Sequence, residues 1–337
     1  MYIVGSYTLA VIFCFVTILC WGSWGNTQKL AAKSWRYELF YWDYVIGMVI
    51  FSLLLAFTAG SIGSQGRPFM QDLAQVSWAS IGWVVLGAVI FNVSNILLSA
   101  SVSLAGMAVA FPLGVGIALV MGVLNNLLLH PTAGQNTTLL WIGVVLVVLA
   151  VIVNGIASGK VSGEQRDPKQ NRKGIILALL AGIIMSFFSA LVYNGVDLDN
   201  FASPAAGKMT PYTAMVIFSL GVFLSNFIVN TIVMKKPFVG EPVTYKQYFA
   251  GNFKTHLVGV LGGCIWALGT SLNYICAGTA GAAVSYALGQ GAPMIAAIWG
   301  VFIWKEFKGA KKGTGLLLTA MFVLFIAGLA SIVVAGL

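Results

Sequence analysis

Apolar residues fill ten long stretches of this 337-residue chain, and short polar segments separate one stretch from the next. A helix needs about 20 apolar residues to cross a hydrocarbon core roughly 30 Å thick. The stretches are solidly apolar and do not alternate with polar residues, which excludes a transmembrane β-barrel. The pattern therefore predicts an all-α integral membrane protein with ten transmembrane helices, spans 1 to 10, at Tyr7–Asn26, Leu39–Phe57, Trp78–Leu98, Leu104–Leu128, Leu139–Ala157, Gly174–Asn194, Tyr212–Val233, Leu257–Ala277, Ala280–Trp304 and Thr314–Val334.

The composition and the loop charges agree with this prediction. Hydrophobic residues make up 59% of the chain and charged residues 8%, whereas a soluble domain carries about 25% charged residues. Sixteen of the eighteen Lys and Arg residues fall in one set of alternate loops, and the other set holds only Arg67 and Lys208. The positive-inside rule places the basic loops in the cytoplasm and both termini outside, in a plasma or inner membrane. The net charge of +9 thus indicates orientation in the bilayer and not nucleic-acid binding.

A charged segment, Ser158–Lys173, divides the ten spans into two sets of five and is predicted to be a cytoplasmic linker. We therefore expect a first five-helix repeat over residues 1–157 and a second over residues 174–337. The sequence at 155–161 has only three residues between its glycines and a Val where a P-loop needs Ser or Thr, so no nucleotide cofactor is expected. The four cysteines lie within spans and the two histidines are far apart, so no metal site is expected either.

The two halves also share sequence. MVIFSL occurs at Met48–Leu53 and again at Met215–Leu220, in the second span of each half. AGMAVAFPLGVG at 105–116 matches AGAAVSYALGQG at 280–291 at seven of twelve positions, in the fourth span of each half. Because each half has an odd number of spans, the second copy must enter the membrane from the opposite side. Two inverted five-helix repeats are typical of secondary transporters that bind substrate near the midplane.

Polar and aromatic side chains recur within the spans at helical spacing. Such side chains are costly in lipid and usually face the bundle interior or a water-filled cavity. On span 1, for example, Trp21, Trp24 and Gln28 fall on one helical face. We predict a substrate cavity with aromatic walls and amide or hydroxyl groups, lined by Trp21, Trp24, Gln28, Asn92, Asn95, Tyr193, Trp266, Asn273, Tyr286 and Gln290.

Each of these side chains has a structural alternative. Asn, Ser and Thr within spans often hold helices together, and each hydrogen bond then contributes roughly 0.6 kcal/mol. For a single Asn, helix association and contact with substrate are equally supported. Trp is enriched at the membrane interface, which applies to Trp21 and Trp24 near the end of span 1. The recurrence of such residues along several spans favours a binding site.

Glycine and proline interrupt the fourth span of both halves. Paired interruptions in corresponding helices free backbone groups and permit bending, which is tolerated where the helix lines protein or a cavity. The alternative for each glycine is close helix packing. We predict hinges at Pro112, Gly114 and Gly116, and at Gly289, Gly291 and Pro293.

Fixed charge is nearly absent from the spans. Of the nine acidic residues only Asp43 lies within a predicted span, and Glu38 and Glu306 lie at span edges. No Lys, Arg or His falls near the centre of a span. A site without fixed charge suits a neutral polar solute such as a sugar, a ureide or a nucleobase, and suits an organic cation poorly.

Asp43 is the leading candidate for a coupling residue, with Glu38 as a second candidate. Proton-driven transport needs a group that binds a proton on one side and releases it on the other, and partial burial disfavours the charged form of a carboxyl. The alternative is that Asp43 pairs with Lys29, Lys33 or Arg36 and only anchors the helix. Sodium coupling is a further alternative.

The first half contains several distinctive segments: GSWGNTQKL at Gly22–Leu30, YWDY at Tyr41–Tyr44, FTAGSIG at Phe57–Gly63, LAQ at Leu73–Gln75, and Asn95. In these segments the chain resembles the plant ureide permeases, and the second half is similar to them only in general. These permeases belong to the drug/metabolite transporter superfamily, close to the bacterial rhamnose and glucose uptake carriers.

The resemblance implies proton-coupled uptake of neutral oxo-heterocycles such as allantoin and uracil, by a ten-helix bundle with both termini outside. It also implies that Trp24 is an aromatic residue of the cavity and that Asp43 is the acid of a tyrosine-rich motif. The long central cytosolic loop of the plant proteins is short in this chain.

The sequence thus predicts a secondary active transporter, not an enzyme, that imports a small neutral solute with protons across a lipid bilayer. One alternative is a drug or metabolite exporter of the same superfamily, although small multidrug carriers need a carboxylate in span 1 and Tyr7–Asn26 has none. From a different class, a membrane enzyme would need clustered His, Asp or Cys near an interface. A duplicated scaffold without transport is the remaining alternative.

Overall fold

The computed structural model describes residues 1–31, 35–161 and 167–337, so Lys33 and part of the predicted linker lie outside the described residues. Within these ranges ten helices are long and apolar enough to cross a membrane, which confirms the predicted number of spans. They cover Tyr7–Ala31, Tyr37–Phe57, Trp78–Ala105, Pro112–Leu129, Thr137–Gly159, Pro168–Asn194, Pro211–Lys235, Phe253–Ala280, Ala282–Ile303 and Thr314–Ala335.

Some spans consist of more than one helix, and two short helices lie between spans. Span 1 consists of α1 and α2, span 6 of α8 and α9, and span 9 of α13, α14 and a π-helical turn. The elements are α1 Tyr7–Ser23, α2 Gly25–Ala31, α3 Tyr37–Phe57, α4 Phe69–Gln75, α5 Trp78–Ala105, α6 Met107–Leu129, α7 Thr137–Gly159, α8 Pro168–Met185, α9 Phe188–Asn194, α10 Pro211–Lys235, α11 Tyr245–Phe249, α12 Phe253–Ala280, α13 Ala282–Gly289, α14 Ala292–Ile298, the π-helical turn Trp299–Ile303 and α15 Thr314–Ala335.

Single glycines separate span 3 from span 4 and span 8 from span 9. Gly106, at φ 81° and ψ 159°, lies between Ala105 and the start of α6. Gly281 joins α12 to α13 at φ 84° and ψ 145°. This part of backbone space essentially excludes residues with a side chain, so glycine permits a one-residue turn. Span 3 therefore continues past Leu98, its predicted end, until Gly106 stops it.

Small residues let the spans approach closely, as is common where helices associate in lipid. Span 2 crosses span 8 at Gly47 and Gly263, and a Cβ atom added at Gly263 would lie 1.9 Å from the carbonyl oxygen of Tyr44. Spans 5 and 10 meet in the same way through Gly143 and Gly328. Between the spans the interior is rich in aromatic residues, and its largest fully buried side chains include Tyr41, Tyr44, Tyr193, Tyr274 and Tyr286.

Three spans are interrupted along their length. Span 1 breaks at Trp24, span 6 at Ser186 and Phe187, and span 9 at Gln290 and Gly291. Such breaks free backbone amides and carbonyls inside the bundle, where they need partners from protein, water or solute.

Span 4 is not interrupted, because α6 runs through Pro112, Gly114 and Gly116. The paired interruption predicted for the two fourth spans is therefore present in the second half only. Pro112 lies in the second turn of α6, where it removes one hydrogen bond without ending the helix. Gly114 packs on span 6, since a Cβ added at Gly182 would lie 2.5 Å from its carbonyl oxygen. Gly114 therefore lies at a close contact between helices, which is the alternative to a hinge. Bending of span 4 or span 9 stays a prediction.

Candidate functional site

An aromatic cluster joins spans 1, 2 and 8 inside the bundle. The ring centroid of Tyr44 lies 4.8 Å from that of Trp24, 5.4 Å from that of Tyr41 and 6.2 Å from that of Trp266. Trp21 stacks on Trp266 at 6.2 Å with an interplanar angle of 14°. We call these five residues the aromatic cluster. Its members from spans 2 and 8 are buried and its two span 1 members are half-buried.

Local geometry explains how these rings meet. Tyr41 and Tyr44 are three residues apart on α3 and therefore share a helical face. Trp24 lies at the break in span 1, where its carbonyl oxygen accepts a hydrogen bond from Thr27 Oγ1 at 2.7 Å. Gly263, opposite Tyr44, lets span 8 approach span 2 closely enough for the rings to touch.

Trp21 is held from two sides. Its Nε1 donates to Thr270 Oγ1 at 3.0 Å, and its ring lies against Gly289, where an added Cβ would approach it to 2.6 Å. Gln290, at the break in span 9, follows directly and is half-buried, as is Gln28 in α2. The hydrogen bond to a buried threonine favours the interior interpretation of Trp21 over the membrane-interface one.

Besides Thr270, two further polar groups lie at the aromatic cluster. Asn95 of span 3 donates from Nδ2 to the hydroxyl of Tyr41 at 3.2 Å. The hydroxyl of Tyr44 is buried and has no hydrogen-bond partner in the described part of the chain. Leaving a buried polar group unpaired costs about 1–3 kcal/mol. A solute that bonded to this hydroxyl would remove that cost.

The other predicted polar residues bond mainly to the protein itself. Asn273 Nδ2 donates to a backbone carbonyl of span 9 at 2.7 Å, and the Tyr193 hydroxyl donates to Asn273 Oδ1 at 3.5 Å. The Tyr286 hydroxyl donates to a backbone carbonyl of span 4 at 2.9 Å. Asn92 Nδ2 donates to Ser225 Oγ at 2.9 Å and so joins span 3 to span 7. These contacts favour helix association for Asn92, Asn273 and Tyr286.

A cavity of about 200 Å³ opens between spans 2, 3 and 7 at the end of the bundle predicted to be cytoplasmic. Its lining includes Arg36, Tyr37, Glu38 and Ser99. The ring of Tyr37 lies 5.4 Å from that of Tyr41, so one wall of the cavity contacts the aromatic cluster. Within the lining, Arg36 and Glu38 form an ion pair at 2.6 Å. The cavity is smaller than the roughly 300–1,000 Å³ of typical ligand sites.

Asp43 is enclosed by three donors and is 1% exposed. Its Oδ1 accepts from the hydroxyl of Tyr248 and lies at the same distance, 2.7 Å, from Nδ1 of His256. Its Oδ2 accepts from Nε1 of Trp35 at 3.0 Å. We call these four residues the Asp43 clasp. Burial raises the pKa of Tyr248 well above its ordinary value, so this phenol stays a donor at physiological pH.

These partners differ from the predicted anchors of the carboxylate. Lys29 pairs with Glu306, Arg36 pairs with the glutamate two residues further on, and Lys33 lies outside the described residues. His256, 213 residues away in the sequence, provides the ion-pairing group instead. The signal that could have found it is a histidine in the first turn of an apolar span, in a chain with one acid inside a span.

Comparison with known proteins adds independent evidence. A model of the ureide permease family matches residues 40–171 and 164–335. Ureide permease 1 of Arabidopsis thaliana is 22% identical over 383 residues, covering 98% of this chain and 97% of that protein. An L-rhamnose-proton symporter of Yersinia pestis is 27% identical over 205 residues, covering 58% of this chain and 55% of that protein. A solved structure, described only as a crystal structure of a protein, has a TM-score of 0.63 at 16% identity over 96% of both chains, which shows a shared fold.

The family match extends through the second half of the chain, where the sequence resemblance was only general. The relatives are permeases and not enzymes, and the ten apolar helices agree with an integral membrane transport protein for small solutes. The chain therefore belongs to the ureide permease family.

Proposed function

We propose that this permease imports a small, neutral, polar solute in symport with protons across a plasma or inner membrane, with both termini outside. The solute is an oxo-heterocycle of the ureide or nucleobase type, or a sugar. The loop charges support the orientation. The names of the relatives, ureide permeases and an L-rhamnose-proton symporter, support the solute classes and the coupling ion.

The observation that supports the proposal most is the partnerless hydroxyl of Tyr44 within the aromatic cluster. The ring of Trp24, which is half-buried, can pack against a flat ring or against the apolar face of a sugar, and the buried ring of Trp266 lies behind it in the same cluster. The Tyr44 hydroxyl can donate to a carbonyl or hydroxyl of the solute, and the Asn95 amide is held at the same cluster by its hydrogen bond to the Tyr41 hydroxyl. Aromatic walls with a few placed polar groups are the common composition of small-molecule sites.

The charges favour a neutral solute. No Lys, Arg, Asp or Glu belongs to the aromatic cluster, and the Arg36–Glu38 ion pair lies at the end of the bundle. A neutral polar solute can therefore bind without leaving a charge unpaired in a low-dielectric site. An organic cation, the typical substrate of the exporter alternative, would find no carboxylate in the cluster.

The helix pairing supports transport by two inverted five-helix repeats. Span 1 packs on spans 8 and 9, and span 6 packs on spans 3 and 4. Span 2 packs on span 8, and span 7 packs on span 3. If each span of one half is replaced by the corresponding span of the other half, the contacts of span 1 become those of span 6, and the contact of span 2 becomes that of span 7. This correspondence is expected for repeats over residues 1–157 and 174–337. Rocking of one repeat against the other would expose the aromatic cluster to each side in turn.

The test is uptake of labelled allantoin, uracil, rhamnose and glucose into proteoliposomes, with and without an alkaline interior. We expect one solute class to accumulate under the pH gradient. Tyr44→Phe should weaken its apparent affinity about tenfold, because roughly 1.4 kcal/mol of hydrogen bonding is lost. Tyr274→Phe is the matched control, because Tyr274 also has a buried hydroxyl without a described partner but lies outside the cluster.

Equal affinities in wild type and Tyr44→Phe would contradict the proposed solute site. Accumulation of organic cations in place of the neutral panel would contradict the solute class. Cysteine labelling that places the C-terminus in the cytoplasm would contradict the orientation.

A further inference from the structure

The Asp43 clasp places a buried carboxylate beside a partly exposed imidazole. The side chain of Asp43 is 2% exposed and that of His256 is 24% exposed. The rings of Trp35 and Tyr248 pack on the imidazole with centroid distances of 5.1 and 4.9 Å. The imidazole is therefore fixed in orientation while part of its edge stays accessible.

The two ring nitrogens of His256 have different surroundings. Nδ1 lies 2.7 Å from Oδ1 of Asp43. Nε2 faces Gly251 in the turn before span 8, where an added Cβ would approach it to 2.7 Å. Because the carboxylate can only accept, Nδ1 carries a proton in this contact. Nε2 is then the ring atom whose lone pair is left to accept a proton.

We infer that the Asp43–His256 pair is the proton-binding site of the transport cycle, an inference that rests on the proposed proton symport. A proton from water binds the Nε2 lone pair of the neutral imidazole while Nδ1 continues to donate to Asp43. The net charge of the pair changes from −1 to 0, and it returns to −1 when Nε2 releases the proton to water. The loaded pair ties span 8 to span 2 more tightly, because hydrogen bonds between two charged groups are the stronger ones.

Tyr248 is the only other ionisable group that contacts this carboxylate in residues 1–31, 35–161 and 167–337. It donates from α11 and keeps its proton at physiological pH. The remaining described charged groups on the elements packed around the pair are exposed or paired elsewhere: Lys235, Lys246 and Lys254 are exposed, and Arg36–Glu38 and Lys29–Glu306 form their own pairs.

The pair is joined mechanically to the aromatic cluster. Asp43 and Tyr44 are consecutive on span 2. On span 8, a Cβ added at Gly259 would lie 2.4 Å from Cβ of Asp43, and one at Gly263 would lie 1.9 Å from the carbonyl oxygen of Tyr44. A shift of span 8 relative to span 2 must therefore change the proton site and the solute site together, which coupling requires.

The first experiment uses His256→Asn in proteoliposomes, with a panel solute that the wild type exchanges. An Asn side chain can keep an N–H donor for Asp43 but cannot take up a proton near neutral pH, so a merely structural role would survive. We expect counterflow within about twofold of wild type. Accumulation under a one-unit pH gradient, about tenfold for one proton per solute, should fall to a ratio of about 1.

His130→Gln is the matched control, because His130 is the other histidine and its Nε2 lies 2.9 Å from the carbonyl oxygen of Ala190, far from the clasp in the sequence. It should keep both counterflow and accumulation. Asp43→Asn should reproduce the loss seen in His256→Asn. Accumulation by His256→Asn at the wild-type level would overturn the pair as the proton site.

The second experiment needs no solute and is an NMR titration of isotope-labelled histidine in the full-length protein. The chain has two histidines, so the two variants assign both signals. We expect the signal of Nε2 of His256 to report uptake of a proton as the pH is lowered, while Nδ1 stays protonated. A His256 that does not titrate overturns the proton site whatever the uptake result. If His256 takes up a proton but the wild-type protein only exchanges solute and does not accumulate it under the pH gradient, the proposed proton symport is wrong. The proton-binding site itself would not be contradicted by that result.

Discussion

The short helices α4 and α11 are each fixed to a neighbouring span by a buried carboxylate, but the partners of the two carboxylates differ. Asp72 on α4 is 0% exposed and accepts from the backbone N–H of Thr210 at 2.7 Å and from Nε of Arg67 at 3.0 Å. We call these three residues the Asp72 clasp. In the Asp43 clasp the donors are a phenol, an indole and the imidazole of His256.

This difference separates a permanent tie from a titratable one. The guanidinium of Arg67 stays charged at every pH the protein meets, so the cationic partner in the Asp72 clasp is permanent. An imidazole can bind a second proton, so the Asp43 clasp has a partner whose charge can change, and we propose that its strength follows the proton concentration. The α4 end of the bundle is thus held at constant strength, and the α11 end responds to the ion that we propose drives transport.

The largest expected effect is on stability, from removing the carboxylate of the permanent tie. Asp72→Ala leaves the charge of Arg67 and the N–H of Thr210 without their partner, and breaking such a buried pair costs about 3–5 kcal/mol. Thermal unfolding in detergent micelles measures this loss against wild type. A loss below about 1 kcal/mol would show that the Asp72 clasp does not hold the α4 end together.

Two helix crossings in the bundle should also differ in tolerance. A Cβ added at Gly263 would lie 1.9 Å from the backbone oxygen of Tyr44, whereas one added at Gly221 would lie 2.7 Å from the methyl group of Ala88. The overlap is deeper at Gly263, so we expect losses of about 2–3 kcal/mol for Gly263→Ala and about 1 kcal/mol for Gly221→Ala. The free energies of unfolding of both variants, measured under the same conditions, test which substitution destabilises more. Equal losses of stability would contradict the expected order.

Two asparagines on span 3 separate solute binding from helix association. Asn95→Ala should weaken solute affinity about tenfold, because it removes the amide that bonds to Tyr41 at the aromatic cluster. Asn92→Ala should leave affinity unchanged and destabilise the bundle by only about 0.6 kcal/mol, because Asn92 joins span 3 to span 7. Counterflow and unfolding of both variants measure the two effects. If only Asn92→Ala reduced the affinity for the solute, Asn92 would be the solute-binding residue and Asn95 would be the one that holds helices together.

A modest, pH-dependent effect is expected from making the permanent tie titratable with Arg67→His. A histidine that gains Asp72 as a partner has a higher pKa in the folded than in the unfolded protein. Its stabilisation is therefore present below the unfolded value of about 6.5 and is lost as pH rises through the folded value. We expect the variant to lose about 1 kcal/mol relative to wild type between about pH 6 and pH 8. A difference that stays constant over this range would contradict the comparison of the two clasps.

The spans and several cluster residues could be predicted from the sequence because both depend on local pattern. Runs of apolar residues define the spans, and helical spacing placed Trp21, Trp24 and Trp266 toward the interior, where the structure brings them together. The sequence distinguishes Tyr44 only as part of the YWDY motif of the resemblance. A tyrosine inside a span is an ordinary packing residue until the surrounding structure shows that its hydroxyl lacks a partner.

The clasps could not be predicted because they depend on contacts between distant segments. His256 reaches Asp43 only when span 8 packs on span 2, and Asp72 meets Thr210 only when α4 lies beside span 7. The short helices themselves are below the length at which apolar periodicity is informative. A local signal for α11 does exist in the capping box that Thr244 forms with Gln247.

The one-residue turns at Gly106 and Gly281 have a consequence for genetics. Their φ values of 81° and 84° are combined with extended ψ values, a conformation that is essentially restricted to glycine. Any missense allele at either position would have to rebuild the corner between two spans. A saturation library selected for uptake should therefore recover almost no substitutions there, although neither residue belongs to the aromatic cluster or to a clasp.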